Sequence, residues 1–325
     1  MPPEFKPGRA QPFAYNHRLY DRQFMSCLYR HAVVWLERLG RPVRLLFYNA
    51  LPSSDLVLAQ MLVERRPKFA FRCDTFSEAD FESIGATETA VMAESFADIR
   101  PRVLKRVQAC EFALVEGNVY YLPHCPEYRK ANNQHVVVVH GLEADGRWQI
   151  TDDDPTSILR GYVYDEGYLA RFFDHSVNRK LRCFDIDHGR SAADAQALIE
   201  PKFRSFVMSY RDSCQFFDAV GDFLHSPFDT ATHKHQLLHD AFAVLSGSRQ
   251  CFAAYLEARS SRATLVEAAV ACAKASNTLK MIMARAKLCG DLNEGDLLDR
   301  VVQLRQHEGF LHQRLQAEVF DIPAR

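Results

Sequence analysis

The chain is 325 residues long, which suggests one large domain or two domains of moderate size. Its composition, with 47% hydrophobic and 25% charged residues, is typical of a globular protein. The 40 Lys and Arg residues nearly balance the 41 Asp and Glu residues, so the overall charge gives no reason to expect binding to nucleic acid or to an anionic membrane. The strongly apolar stretches, such as Val136–Val139, have the length of a strand and are too short to span a bilayer.

Nine cysteines are scattered along the chain, and no two of them form a CxxC pair. Such usage is typical of buried thiols in a reducing compartment. The first residues, Met-Pro-Pro-Glu-Phe-Lys, contain no apolar run of the kind that a secretory signal has. We therefore expect a cytoplasmic protein.

Helical and strand-like patterns alternate up to about residue 190, and almost everything after that point has a helical pattern. The segment Cys27–Leu39 predicts a helix, because its apolar residues recur at helical spacing and a glycine follows it. Val43–Tyr48 favours a short strand, and Ser53–Val63 favours a second helix. Residues 66–97 give no clear pattern.

A predicted helix at Ile99–Gln108 leads into a run of short strands rich in β-branched and aromatic residues. The dipeptide Asp145-Gly146 favours a tight hairpin turn between two of these strands. Gly161–Tyr164 adds a further strand, and Asp165–Phe173 favours a short helix. The predicted strands of the run are Phe112–Glu116, Val119–Leu122, Gln134–His140 and Trp148–Asp152.

The remainder of the chain predicts an antiparallel bundle of about four helices. Turn-forming residues separate the helical periods, which cover 192–225, 231–258, 262–289 and 294–319. The sequence therefore predicts an α+β fold. A domain with an N-terminal helix and an antiparallel sheet is expected at 1–190, and an all-α helical bundle is expected at 191–325.

Cys27, His135 and Asp152 fall at positions where their side chains can act together. Ser26 can cap a helix that begins at Cys27, and both a helix N-terminus and a nearby imidazolium favour a thiolate. Asp21 is a competing start for this helix. His135 begins one strand and Asp152 ends the next strand across the hairpin, so the carboxylate can accept a hydrogen bond from the imidazole and fix its tautomer.

Each of these residues also has an ordinary structural interpretation. A free cysteine is most often a small buried hydrophobe. A histidine at the start of a strand is more often structural than catalytic, and Asp152–Asp154 has the composition of a polar turn before a proline. Asp154 is the alternative to Asp152 as the carboxylate that orients His135. From spacing alone, the three residues are a weak indication of a site.

Four segments of the first domain resemble a known family. Cys27 with its helix, Val119–Pro123, Gln134–Gly141 and Trp148–Asp154 together resemble the N-terminal domain of the butirosin-biosynthesis acyltransferase family. That family is related to the papain-like peptidases of bacteriocin exporters, which cleave at a double glycine. The resemblance covers roughly residues 15 to 185 and implies a papain-like fold for the first domain, while the helical remainder resembles the C-terminal part often joined to it.

The resemblance implies cysteine-dependent transfer of an acyl or aminoacyl group from a carrier-protein thioester to an amine or hydroxyl acceptor, in natural-product biosynthesis. Carried over to this sequence, Cys27 is the nucleophile, His135 the general base and acid, and Asp152 the orienting group. The expected partners are an acyl or peptidyl carrier protein and a small-molecule acceptor; a homodimer stays open, and neither nucleic acid nor a membrane is expected. No cofactor is expected, because phosphopantetheine arrives on the carrier protein.

Two positions depart from the family pattern. Ser26 stands where the family often has a histidine directly before the cysteine. Asp21 stands six residues before the cysteine, where papain-like enzymes usually have a glutamine in the oxyanion hole. Gln23 and Asn16 are the candidate substitutes, with the backbone N–H of Cys27 as a second donor. The sequence does not decide between them.

Two other functions stay open at this point. A hydrolase, either a thioesterase or a peptidase, would use the same three residues with water as the acceptor. The difference between hydrolase and transferase lies in the exclusion of water and the binding of an acceptor, which the sequence does not reveal. A catalytically inactive papain-like scaffold, whose bundle binds a partner, also stays open, because the usual glutamine is missing.

The predicted bundle carries two weaker signals. His235 and His239 are four residues apart on a predicted helix, a spacing that suits a metal, but no third ligand is evident and a solvated helix face is the simpler interpretation. We therefore expect no metal. A modestly basic surface, interpreted either as a carrier-protein contact or as ordinary solvated charge, is formed by Arg285, Lys287, Arg300 and Arg305.

Overall fold

The structure, a computed structural model, describes residues 10–21 and 23–320. The strands of this part are β1 Gln11–Pro12, β2 Ala86–Met92, β3 Ala113–Asn118, β4 Gln134–Leu142, β5 Trp148–Asp153, β6 Leu159–Tyr164 and β7 Lys180–Ile186. They form one sheet in the order β1-β6-β5-β4-β3-β7-β2. Each neighbouring pair is antiparallel, which agrees with the predicted antiparallel sheet.

The helices of the described residues are α1 Cys27–Arg38, α2 Ser54–Val57, α3 Glu78–Ser83, α4 Phe96–Gln108, α5 Glu166–Asp174, α6 Ala192–Ser209, α7 Gln215–His225, α8 Ala231–Ala258, α9 Ala263–Cys289 and α10 Glu294–Phe320. Turns of 3-10 helix occur at Val43–Phe47, Lys68–Ala70 and Val119–Tyr121, and α2 continues as a π-helix over Leu58–Val63. The predicted α+β composition is therefore confirmed. Among the residues that the structure describes, no helix combines the length and the hydropathy needed to cross a membrane.

The chain forms two compact units that are not two consecutive stretches of sequence. Of the residues that the structure describes, the first unit takes those up to Arg41 and then Gly85–Arg190, whereas the second takes Pro42–Ile84 and those from Ser191 onward. The observed units therefore differ from the predicted division at 1–190 and 191–325 in the placement of residues 42–84. The physical reason is apolar packing: the turn Val43–Phe47 and the π-helix lie against α8 and bury most of their apolar side chains there.

Helix α1 begins at Cys27, where the sequence predicts, and ends at Arg38, one residue before the predicted end. The hydroxyl of Ser26 accepts a hydrogen bond from the backbone N–H of Tyr29 at 3.4 Å, so Ser26 is the N-cap and Cys27 the first helical residue. Gly40, just after the helix, has a φ of +76°, which a glycine adopts without the strain that other residues would carry. The buried residues of the helix pack against β3 and β4.

Alternate residues of the central strands form the core of the first unit. Val137 and Val139 of β4 lie in one buried cluster with Trp148 and Ile150 of β5. Apolar side chains of α4 and α5 complete the cluster, including Phe96, Ile99, Leu169, Phe172 and Phe173. Full burial of such a side chain stabilises the fold by about 1.5–3 kcal/mol. The pleat of β4 and β5 therefore has a fixed buried face, which sets the direction of every side chain along these two strands.

Two predicted strands are helical turns in the structure, and these predictions are wrong. Val43–Tyr48 forms the 3-10 turn Val43–Phe47, in which adjacent rather than alternate apolar residues are buried. Val119–Leu122 forms the turn Val119–Tyr121. Here the side-chain oxygen of Asn118 accepts a hydrogen bond from the backbone N–H of Tyr120 at 3.0 Å, and this local bond competes with continuation of the strand.

The predicted helical period 192–225 is interrupted in the structure, because α6 ends at Ser209 and α7 begins at Gln215. Cys214, between them, has a φ of +63°, which a continuous helix does not permit. The carboxylate of Asp212 caps this break by accepting from the backbone N–H of Cys214 at 3.0 Å. Strands β2 and β7 have no counterpart in the predicted elements.

Arg249 of α8 and Glu308 of α10 form an ion pair in the interior of the second unit. Both side chains are fully buried, and the guanidinium donates to the carboxylate over N–O distances of 2.8 and 3.2 Å. The same guanidinium donates to the backbone carbonyl of Pro52 at 2.9 Å. The pair therefore links two helices of the bundle to the segment 42–84.

We expect Arg249→Met to lower the free energy of unfolding by about 3–5 kcal/mol, because the Glu308 carboxylate would stay buried without its partner. Arg305→Met is the control, since Arg305 pairs with Asp218 at the surface and exposed pairs contribute about 1 kcal/mol or less. Urea denaturation followed by circular dichroism measures both variants. Equal losses in the two variants would contradict the assigned role of the buried pair.

Candidate active site

The pairing of β4 with β5 brings His135 and Asp152 to the same face of the sheet. Val139 lies opposite Ile150 in this pairing, and both side chains belong to the buried cluster. Because side chains alternate along a strand, His135 shares the face of Val139 and Asp152 shares the face of Ile150. The two polar residues are then diagonal neighbours across the strands, a separation that a histidine side chain can bridge.

The Asp152 carboxylate lies at the centre of the site and is completely buried. Its Oδ1 accepts from His135 Nε2 at 2.7 Å and from the backbone N–H of Asp153 at 2.7 Å, and its Oδ2 accepts from His124 Nε2 at 2.8 Å. Burial alone would raise the pKa of the Asp152 carboxyl, but the charge of His135 and the hydrogen bonds from both histidines outweigh it and hold this pKa far below its usual range. The carboxylate is therefore ionised and acts only as an acceptor, so each Nε2 that faces it carries a hydrogen.

His135 connects Asp152 to Cys27. Burial would lower the pKa of the His135 imidazole, but the charge of Asp152, the hydrogen bond to Asp152 and a hydrogen bond to the Cys27 side chain raise it well above its usual value. With Nε2 engaged by Asp152, Nδ1 is the nitrogen available to the thiol. Cys27 is partly exposed and lies in the first turn of α1, where the helix dipole favours an anion.

The start of α1 is anchored to the end of β5 by Arg30. This side chain is fully buried and forms an ion pair with the carboxylate of Asp153, the residue after Asp152. It also donates to the backbone carbonyl of Tyr20 at 2.6 Å and to that of Ser157 at 3.0 Å. Because Arg30 lies three residues after Cys27 on the same helix, this anchor places the start of the helix beside the end of β5, where Asp152 and Asp153 lie.

His31 is a fully buried histidine one helical turn after Cys27. Its Nε2 lies 3.8 Å from Oδ1 of Asp152, and its ring centroid is 6.3 Å from that of His135. Neither of its ring nitrogens has a hydrogen-bond partner among the described residues. Burial lowers the pKa of His31 from 6.5 to about 4, so the ring is neutral at pH 7.

His124 also belongs to the site, although no pattern in the sequence pointed to it. Its ring stacks on that of Tyr162 with the centroids 4.0 Å apart, and its Nδ1 is 2.7 Å from the hydroxyl of Tyr164. Cys125 follows directly, with its Sγ 3.6 Å from His124 Nε2. The signal that could have indicated this residue is its position, since the His-Cys pair comes immediately after the Tyr-Leu-Pro run that carries the family resemblance.

The remaining candidate residues are engaged elsewhere. The Asp154 carboxylate accepts from Thr156 and from the backbone N–H of Ile158 at 3.0 Å, so it caps the turn between β5 and β6. The Gln23 amide donates to the carboxylate of Asp21. Asn16 is exposed, and its side-chain oxygen accepts from the backbone N–H of Leu19 at 3.2 Å. The role of Gln23 or Asn16 as a donor in the oxyanion hole stays a prediction.

Within the described part of the chain, two groups of side chains have the spacing of metal ligands. The ligand atoms of His124, Cys125 and Asp152 lie within 4.8 Å of one another, as do those of His31, Asp152 and Asp153. Hydrogen bonding accounts for much of this proximity without a metal, because His124 donates to Asp152 and Asp153 is paired with Arg30. We therefore describe the cluster as a hydrogen-bonded network.

The buried His31 predicts a loss of stability in acid. The unfolded chain binds a proton at His31 below pH 6.5, whereas the folded chain does so only near pH 4, so this part of the free energy of unfolding is present above pH 6.5 and is lost as the pH falls toward 4. The shift corresponds to about 3 kcal/mol. We expect His31→Phe to remove that part of the pH dependence.

Urea denaturation at pH 7.5 and pH 4.5 measures the effect. His188→Ala is the control, because His188 is exposed. The wild type and the His188 variant should lose more stability between the two pH values than the His31 variant does. The same loss in all three proteins would contradict the assignment of a neutral, desolvated His31.

Comparison with known proteins gives one relative of note. No protein-family model matches the chain. A protein of Niallia circulans is 20% identical over 302 residues, which cover 92% of this chain and 97% of the relative. That protein is named ribostamycin:4-(gamma-L-glutamylamino)-(S)-2-hydroxybutanoyl-(BtrI acyl-carrier protein) 4-(gamma-L-glutamylamino)-(S)-2-hydroxybutanoate transferase. The similarity includes the helical part of the chain. It supports a general resemblance to transferases that act on carrier-protein substrates.

Proposed function

We propose that the chain is a cysteine-dependent acyltransferase. In this proposal an acyl or aminoacyl group moves from a carrier-protein thioester, through an acyl-Cys27 intermediate, to an amine or hydroxyl acceptor. The observation that carries the proposal is the continuous hydrogen-bonded chain from Cys27 through His135 to a buried, ionised Asp152. The similarity along 92% of the chain to a transferase named for an acyl-carrier-protein substrate supports the choice of donor.

The first half of the reaction would proceed by attack of Cys27 on the thioester carbonyl. The raised pKa of His135 favours an imidazolium, and an imidazolium beside the thiol favours the thiolate, which is the reactive form. A bond forms between Sγ and the carbonyl carbon, and the carbon–sulfur bond to the phosphopantetheine arm breaks. His135 supplies its proton to the departing thiolate, leaving a neutral imidazole and an acyl-Cys27 thioester.

The second half would use the neutral His135 as a general base. The acceptor amine or hydroxyl attacks the acyl-Cys27 carbonyl while His135 takes its proton. The carbon–sulfur bond to Cys27 breaks, and the thiolate is restored beside an imidazolium. Asp152 keeps its charge throughout and holds the ring with Nε2 protonated, so Nδ1 faces the thiol in both halves.

We place this chemistry in the first unit, to which Cys27, His135 and Asp152 all belong. A papain-like arrangement, with a cysteine at a helix start and a histidine on the adjoining sheet, is the fold that the proposal assigns to this unit. The carrier protein would bring the phosphopantetheine arm, so the chain itself needs no bound cofactor. The backbone N–H of Cys27 is the donor we assign to the oxyanion, with a side chain yet to be identified as the second.

We expect incubation with acyl-pantetheine thioesters to add one acyl group to Cys27, because that thiol is the one hydrogen-bonded to His135. Intact-protein and peptide mass spectrometry detect the adduct and locate it. Cys27→Ala should abolish it. Cys110→Ala is the matched control and should leave the adduct unchanged, since Cys110 is exposed but lies outside the site.

An acceptor distinguishes transfer from hydrolysis. Addition of an aminoglycoside such as ribostamycin, the acceptor in the name of the relative, should discharge acyl-Cys27 to an amide. Release of the free acid alone would favour a hydrolase. An adduct that persists in Cys27→Ala, or no adduct in the wild type with any thioester, would contradict the proposal.

A further inference from the structure

Asp152 serves two histidines, and the proposed reaction uses only one of them. His135 donates to Oδ1 at 2.7 Å and His124 donates to Oδ2 at 2.8 Å, so each imidazole occupies a different oxygen of the same buried carboxylate. The His124 side chain is 3% exposed, and that of Asp152 is 0% exposed. His124 is therefore too buried to contact a substrate, whereas Cys27 is partly exposed. Any influence of His124 on the reaction has to pass through Asp152.

Each nitrogen of the His124 ring has a neighbour. An ionised Asp152 accepts only, so Nε2 of His124 carries the hydrogen that lies between them. On the other side of the ring, Nδ1 lies 2.7 Å from the hydroxyl of Tyr164. Burial raises the pKa of Tyr164 far above its usual value, so this group stays a phenol. Tyr164 thus holds the ring from the far nitrogen, while Nε2 points at Asp152.

The position of the His124 ring is fixed by stacking as well. It stacks on Tyr162 at a centroid distance of 4.0 Å and an interplanar angle of 20°. Tyr162 and Tyr164 both lie on β6 and belong to the buried core cluster of the first unit. The donor that meets Oδ2 of Asp152 is therefore held by the sheet itself.

We propose that His124 is a positioning residue that, by donating from Nε2 to Oδ2 of Asp152, holds the carboxylate in the plane in which Oδ1 meets His135. The part of this inference that concerns acyl transfer rests on the proposed function. The part that concerns the alignment of Asp152, His135 and Cys27 does not. Without His124, the buried Oδ2 loses its N–H donor and keeps only the weak thiol donor of Cys125, whose Sγ lies 4.0 Å away. The carboxylate then rotates toward other donors, and His135 loses the alignment that its bond to Cys27 requires.

Two variants of equal length separate this role from simple packing. In His124→Gln the side-chain amide nitrogen reaches the place of Nε2 and keeps a donor for Asp152. In His124→Met the side chain has nearly the same length but no donor. Both variants lose the stack on Tyr162 to the same degree, so a role confined to packing would affect them alike.

The measurement is the rate at which iodoacetamide alkylates Cys27 at pH 7, followed on the peptide that contains Cys27 by mass spectrometry. We expect His124→Gln to stay within about threefold of the wild type and His124→Met to fall about tenfold or more, the size of effect that loss of an orienting partner commonly has. Equal rates in the Met variant and the wild type would overturn the proposal. So would equal falls in the two variants.

Tyr164→Phe covers the case in which the His124 variants do not fold. It removes only the hydroxyl that meets Nδ1 of His124, and we expect a fall of about fivefold in the same rate, the effect of one hydrogen bond. An unchanged rate in this variant, with both His124 variants unfolded, would also overturn the proposal. Because no acyl substrate is present, the outcome is independent of acyl transfer. The wild type could form no acyl adduct while the alkylation rate of Cys27 still depends on His124. That result would contradict the proposed function and would support this inference.

Discussion

The buried carboxylate of Asp152 constrains the arrangement of the residues around it in the first unit. A buried ion without compensating partners costs several kcal/mol, and Asp152 is buried completely. It is compensated by three N–H donors, from His124, from His135 and from the backbone of Asp153. The two imidazoles come from different parts of the chain, the turn after β3 and the start of β4. Compensation of one charge therefore fixes both of them relative to the end of β5.

Three consecutive aspartates have three different structural roles at this point. Asp152 accepts from the two histidines, whereas the next residue, Asp153, pairs with Arg30 of α1. Asp154 lies beyond the strand and caps the turn to β6. The end of one strand thus joins the histidine pair to the helix that carries the thiol. The chemistry proposed for Cys27 depends on this connection as much as on the His135–Asp152 bond.

Local patterns are sufficient to predict His135 and Asp152 as neighbours. The Asp145-Gly146 turn specifies which strands pair, and the pleat specifies which side chains share a face. His124 is not predictable in this way, because it lies in a turn without periodicity and reaches Asp152 only through packing on Tyr162 of another strand. The same limit applies to residues 42–84. Their short apolar run has the local character of a strand, and its helical conformation and its place in the second unit depend on contact with α8, far along the chain.

The titration of the His135 imidazole, followed by NMR of histidine-labelled protein, tests the central claim most directly. The signal can be assigned by its loss in His135→Gln. The account predicts that His135 stays protonated well above pH 6.5 in the wild type, and that this pKa drops in Asp152→Asn, where the compensating charge is gone. An imidazole that titrates at or below pH 6.5 in the wild type, or one whose titration does not respond to Asp152→Asn, would contradict the account.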